Sequence, residues 1–154
     1  MMNDWIIPIL MAAIGSVSFG MFFGIISQKL ILSALGGALT WTVYLAAMHF
    51  DINEPICYAL AAAAGTLFAE IFARFVKTPV TLFIITSVIP LVPGGALYYT
   101  MLGLLQGNHE TFLMKGSYTM SAAGAMALGM FSATMLFRIL FSLIKLISSK
   151  KEAA

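Results

Sequence analysis

Charge is scarce in this chain. Asp, Glu, Lys and Arg make up only 9% of its 154 residues, and hydrophobic residues make up 61%. Soluble domains carry roughly 25% charge, and a chain of this size needs a polar exterior where water surrounds it. A water-soluble globule is therefore excluded, and lipid is the solvent that accepts such an exterior. Cysteine is nearly missing as well. The single Cys57 rules out an internal disulfide and any cysteine-based zinc site. The net charge of +2 comes with no basic cluster, so nucleic acid is not a partner. Ser-x-x-Lys, Gly-x-Ser-x-Gly, phosphate-loop and HExxH patterns are all missing. Catalysis would lack a visible nucleophile and base, ATP could be used only through another subunit, and no cofactor is implied. The start, Met1-Met2-Asn3-Asp4, has no Lys or Arg. The apolar run behind it exceeds the roughly 7–15 residues of a signal peptide, so it reads as a retained first span.

What the chain does have is long apolar runs. A hydrocarbon core about 30 Å thick needs about 20 such residues in a helix. Five stretches meet that requirement: Trp5 to Ser27, Leu30 to Phe50, Ile56 to Val76, Val80 to Leu105 with an interruption near 90–95, and Gly116 to about residue 140. The last continues as helix to about Ile147. The expectation is an all-α, polytopic membrane bundle forming one transmembrane domain over residues 1–154. The linkers are Gln28-Lys29, Asp51–Pro55, Lys77–Pro79 and Gln106–Lys115.

Charge sets the orientation. With five spans, Lys29, Arg74, Lys77, Lys145, Lys150 and Lys151 fall on one side, and Asp4, Asp51 and Glu54 on the other. The positive-inside rule makes the basic side cytoplasmic, with the N-terminus outside and the C-terminus inside. Small residues recur at spacing four: Gly20 and Gly24; Ala61, Gly65, Ala69 and Ala73; Ala125, Gly129 and Ala133. Such ridges let helices approach closely in lipid.

The fourth run is interrupted by Ile89-Pro90-Leu91-Val92-Pro93-Gly94-Gly95-Ala96. Pro90 and Pro93 each delete a helical hydrogen bond. Freed backbone groups are tolerated at membrane depth where protein buries them or a watery cavity solvates them. Two half-helices follow, the second starting near Pro93. Its N–H groups at Gly94, Gly95 and Ala96 offer an anion site at a positive helix end. Secondary transporters bind substrate carboxylates at such breaks. Thr86 and Ser87 before the break, and Tyr98 and Tyr99 after it, could hydrogen-bond the rest of a substrate. A kink that only shapes the bundle is the alternative.

Glu70 and Arg74 lie four apart on the third span, about 10 Å inside Lys77. An intramembrane carboxylate is a candidate proton carrier. An ion pair with a snorkelling Arg74 is the equal alternative. His49, Asp51 and Glu54, like His109 and Glu110, match no metal spacing and read as ordinary surface charges. Cys57 reads as a small packing residue, and Trp5, Trp41 and the tyrosines as interface anchors.

Val88-Ile89-Pro90-Leu91-Val92-Pro93-Gly94-Gly95-Ala96-Leu97-Tyr98, with Ala73-Arg74 and Pro79 before it, resembles the signature of the threonine/serine exporter family. The length and the five-span layout resemble the small subunit of its two-chain form. The resemblance implies export of small amino or carboxylic acids, with threonine, serine and succinate as substrates of the family. It further implies a larger five-span partner subunit and a place in the bacterial plasma membrane. An odd span count fits two halves inverted relative to each other. A homo-oligomer in membrane lipid is the other assembly considered. The alternative function is a non-transporting partner that stabilises or regulates another membrane protein.

Overall fold

A computed structural model describes the backbone of residues 2–26 and 28–152 and the side chains of 5–26 and 28–143. Ser27, the expected last residue of the first span, lies outside the described residues. So do the side chains of Asp4, Lys145, Lys150 and Lys151. The chain forms α1 (Met2–Phe22), α2 (Lys29–His49), α3 (Glu54–Phe75), α4 (Val80–Val88), a 3-10 turn (Ile89–Leu91), α5 (Gly94–Leu105) and α6 (His109–Glu152). No strand occurs among the described residues. Three helices are single apolar spans by length and composition, namely α1 from Trp5, α2 and α3. The His109–Leu143 stretch of α6 is a fourth. The fifth candidate is the α4–α5 pair, which is long and apolar enough to cross only when its two helices are taken together and which bends by 64° at its break.

The helix ends follow from local chemistry. Past α1, Gly24 takes φ +76°. Its N–H bonds Met21 O at 3.0 Å, and that of Ile25 bonds Gly20 O at 2.9 Å. This is the left-handed cap in which glycine releases the chain. Gly24 is thus a turn residue and not half of a packing pair, and the first helix stops five residues before Ser27. Gly107 (φ +68°) ends α5 in the same way, with Asn108 N–H on Gly103 O at 2.9 Å. Lys77, at φ +49°, ends α3 with Thr78 N–H on Ala73 O at 3.0 Å. Asn108 then caps α6, its Oδ1 accepting from Thr111 N–H at 3.1 Å. That cap starts the last helix at His109, seven residues before the apolar run at Gly116.

Helices α1 to α4 pack through hydroxyls seated on glycines. A side chain on Gly36 of α2 would collide with Ser87 Oγ of α4. One on Gly37 would collide with Ser16 Oγ of α1, and one on Gly65 of α3 with Thr40 Oγ1 of α2. Ser16, Ser33, Thr40, Thr66, Thr86 and Ser87 are all fully buried. Thr40 and Thr66 return their protons to the helical carbonyls of Gly36 and Ala62, both at 2.8 Å. Small polar residues therefore do in this bundle what large apolar ones do in water: they set how closely the helices approach.

Helix α6 lies along α3, with Gly129 against the Ala59 carbonyl. Tyr118 meets Glu54 at the start of α3, and Phe137 and Phe141 meet Arg74 near its end. The contacts run in the same order along both helices, so α3 and α6 are parallel. The segment between them, α4 and α5, must carry the chain from one end of the bundle to the other. The first turns of α6 run on past the beginning of α3. Helix α5 packs on those turns and touches no other helix among the described elements. Gly103 makes this possible, because a Cβ there would lie 2.8 Å from Phe112 N. Helix α5 and the first turns of α6 form an arm that leaves the bundle at the break.

Candidate functional site

The break is built by its two prolines. Ile89 N–H still reaches Ile85 O, but Pro90 has no N–H to give and the helix tightens into the 3-10 turn. Val92 N–H closes that turn on Ile89 O at 3.1 Å. Pro93 (φ −76°, ψ 59°) makes an inverse γ-turn in which Gly94 N–H bonds Val92 O at 2.7 Å. This corrects one expectation, since the Gly94 amide is already used. The Gly95 and Ala96 amides keep no partner outside the helix, and Leu97 N–H opens it on Pro93 O at 3.0 Å.

Val88 and Leu91 at the break pack with Tyr58, Ala61 and Ala62, within the first half of α3. The break therefore sits a little to the Glu54 side of the middle of α3. A cavity of about 290 Å³ opens beside it, lined by Pro8, Met11, Ala12, Gly15 and Phe19 of α1, Trp41 of α2, and Ile89 and Pro90. The lining is apolar save for the Trp41 indole, whose Nε1–H is buried and has no partner. Among the described residues, Ser16 Oγ and Ser87 Oγ are the other buried side-chain polar atoms without one. All three can donate, and they come from α1, α2 and α4.

The sequence-derived residues do not gather in one pocket of this chain. Thr86 Oγ1 is occupied within the bundle, at 3.1 Å from Leu82 O and 3.3 Å from Ser33 Oγ. Ser87 rests on Gly36. Pro90 faces the cavity. Pro93 and Ala96 are half-buried, and Gly94 and Gly95 are exposed, with open space where a Cβ would stand. Tyr98 and Tyr99 are exposed on the arm, edge to face at 5.4 Å. Glu70 is buried and bound to Arg74, whose Nη1 lies 2.5 Å from Oε2 and also bonds the Glu70 carbonyl. The Arg74 guanidinium then covers Phe137 at 4.4 Å and Phe141 at 5.3 Å. The pair joins α3 to α6.

A second polar cluster was not read from the sequence. Tyr118 Oη donates to Glu54 Oε1 at 2.5 Å, and Tyr44 Oη donates to the same oxygen at 3.1 Å. Tyr58 Oη lies 3.1 Å from Tyr118 Oη. Trp41, Tyr44 and Tyr58 stack in sequence, with centroids 5.4 and 4.9 Å apart. An aromatic path thus links the cavity at the break to the Glu54 carboxylate. Only the i, i+4 spacing of Glu54 and Tyr58 hinted at it.

Among the described residues, no group of three His, Cys, Asp or Glu could hold a metal ion. No solved structure matches the chain. A family model described as "Threonine/Serine exporter, ThrE" matches residues 8–136, from the first helix through the break and well into α6, and the chain belongs to the threonine/serine exporter family.

Proposed function

We propose that this chain is one five-span half of a secondary exporter of small amino or carboxylic acids, threonine, serine or succinate among them. It works with a larger five-span subunit in the bacterial plasma membrane. The observation that carries this reading is the break at residues 89–93 with its uncovered arm. Gly94, Gly95, Tyr98 and Tyr99 are exposed, and α5 touches α6 alone. A kink that served packing alone would bury its glycines against a neighbour, as Gly36 and Gly65 are buried. We read the open face as the wall of a pathway that the partner subunit completes.

In this reading the substrate carboxylate meets the Gly95 and Ala96 amides at the positive end of α5. The Trp41 indole N–H, the one donor on the cavity beside the break, lines its approach. The parallel course of α3 and α6 supports five spans, because a re-entrant α4–α5 pair would return the chain to the wrong end. Arg74 occupies the Glu70 carboxylate and covers Phe137 and Phe141 of α6, which favours a tie between helices over a proton carrier.

The test is efflux of preloaded labelled threonine, serine and succinate from cells making this chain, this chain with the larger subunit, or neither. Export only with both chains supports the split exporter. Normal expression with no export in any arm turns the reading toward a stabilising partner. Gly94→Leu sharpens the result, since nothing in this chain lies within 4 Å of that position. The variant folds, and lost export locates the pathway at the break.

A further inference from the structure

We propose that Glu54 is a proton-binding site whose charge clasps the α5–α6 arm to the bundle and whose protonation releases it. The hydrogen bonds have a direction. Tyr118 has one hydroxyl proton, and at 2.5 Å from Glu54 Oε1 that proton is given to the carboxylate. The 3.1 Å contact between Tyr58 and Tyr118 is then donated by Tyr58. Tyr44 donates from the other side at 3.1 Å. Two hydroxyl protons, from α2 and α6, thus meet on a single oxygen, and a third, from α3, supports the Tyr118 hydroxyl. Such a set is strongest when its acceptor is ionised. Charge-assisted O–H···O bonds run about 2.5–2.7 Å and are roughly twice as strong as neutral ones.

The groups around the carboxylate come from every element packed there. Helix α2 supplies Tyr44, and its last turn holds His49, which meets Trp5 of α1 edge to face at 5.7 Å. Helix α3 supplies Tyr58 and the buried Cys57, whose Sγ bonds Ile52 O at 3.4 Å. Helix α6 supplies Tyr118, and the turn before α3 carries the exposed Asp51. A cavity of about 40 Å³ lined by Glu54, Pro55, Tyr58, Tyr118, Ser121 and Ala122 adjoins the carboxylate. That is room for about one water, enough to deliver a proton.

The position gives the bond leverage. Tyr118 lies where the arm departs from α3, and α5 has no other hold on the bundle than α6 and the chain through the break. Weakening the clasp frees α5 and the turns of α6 before Tyr118 to move relative to the start of α3, with residues 89–93 as the joint on the bundle side. The inference rests on the exporter reading only for the use of that motion, as a gate on the pathway.

Its test does not involve transport. Spin labels are placed at Asn53 and Lys115, both exposed, in the purified full chain, and their separation is measured at neutral and acid pH. The buried Cys57 is kept, and the chain without added cysteines serves as the labelling blank. Acid is expected to lengthen the distance and at least double the width of its distribution. Glu54→Gln is expected to show the acid distribution at both pH values. Tyr118→Phe, which keeps the ring and loses the donor, is expected to do the same if Glu54→Gln does not fold. A separation that ignores pH in the unmodified chain, or a pH response that survives in a folded Glu54→Gln or Tyr118→Phe, overturns the proposal. A clear response in a chain that exports nothing even together with the larger subunit would sink the exporter reading and leave the clasp standing.

Discussion

Ser87 holds its hydroxyl in the space that a side chain on Gly36 would need. A Cβ on Gly36 would also stand 3.1 Å from Ser87 Cβ and 3.3 Å from Phe68 Cδ1. Helices α2 and α4 are therefore as close as their backbones allow, and the contact lies a few residues before the break. Gly36→Ala should lower stability by about 1–3 kcal/mol, the usual cost of overpacking a tight interior. Ser87→Ala alone should be near neutral, because its oxygen has no partner to lose. The double variant should recover more than half of the loss, as thermal unfolding in detergent would report. A double variant no more stable than Gly36→Ala would show that this contact is not what the glycine serves.

Glu70 and Arg74 should respond unequally to mutation. The Glu70 side chain is 5% exposed and that of Arg74 39%. Arg74→Ala leaves a carboxylate in the interior with no partner and removes the cover over Phe137 and Phe141. Glu70→Gln leaves a cation that still stacks on those rings and reaches the surface. The arginine variant should lose about 1–3 kcal/mol, discounted from a fully buried pair because Arg74 is partly solvated. The glutamine variant should lose clearly less. Equal losses in melting experiments would mean that the pair, and not the buried charge, is what matters.

The spans could be read from sequence because lipid demands long apolar runs, and the break could be read because two prolines within four residues leave no other outcome. The packing ridge of Ala61, Gly65, Ala69 and Ala73 was visible for the same reason, spacing four on a single helix. Gly24 resembled part of such a ridge. Only the positive φ after Phe22 reveals a cap, and φ leaves no trace in spacing. The start of α6 was obscured because Gly107-Asn108 reads as a turn, whereas it is one helix stop followed by one helix start. The Glu54 cluster was the least legible part. Its tyrosines at 44, 58 and 118 belong to three helices, and nothing local links them. Glu70 and Arg74 were legible as a pair, but which of the two faces the interior depends on α6.

Two glycines of the chain separate folding from function. Gly129 of α6 lies against the backbone of Ala59, with a Cβ only 2.9 Å from its carbonyl carbon, and backbone cannot step aside. Gly129→Ala should therefore cost about 2–3 kcal/mol and loosen α6 from α3. Gly95 has nothing within 4 Å. Gly95→Ala should leave stability unchanged or raise it by up to about 1 kcal/mol through helix propensity. If the open face is the pathway wall, the same Gly95→Ala should reduce efflux at full expression. Unaltered efflux would remove Gly95 from the site while leaving the packing result untouched.

The parallel course of α3 and α6 makes a topological prediction that does not depend on substrate. Asn53 precedes α3 and Lys115 lies in the first turns of α6, so both belong to the same end of the bundle, while Lys77 lies at the other. In intact cells, Asn53→Cys and Lys115→Cys should react with a membrane-impermeant thiol reagent. Lys77→Cys should react only after the cells are opened, as the positive-inside rule requires. Native Cys57 is fully buried and should stay unlabelled throughout. If α4 and α5 formed a re-entrant loop, α6 would start on the side of Lys77, and Lys115→Cys would behave like Lys77→Cys. If Asn53→Cys and Lys115→Cys were both protected and Lys77→Cys reactive, the orientation would be reversed but the broken pair would still cross. The side shared by Asn53 and Lys115 therefore decides whether the 64° bend interrupts a span or turns the chain back.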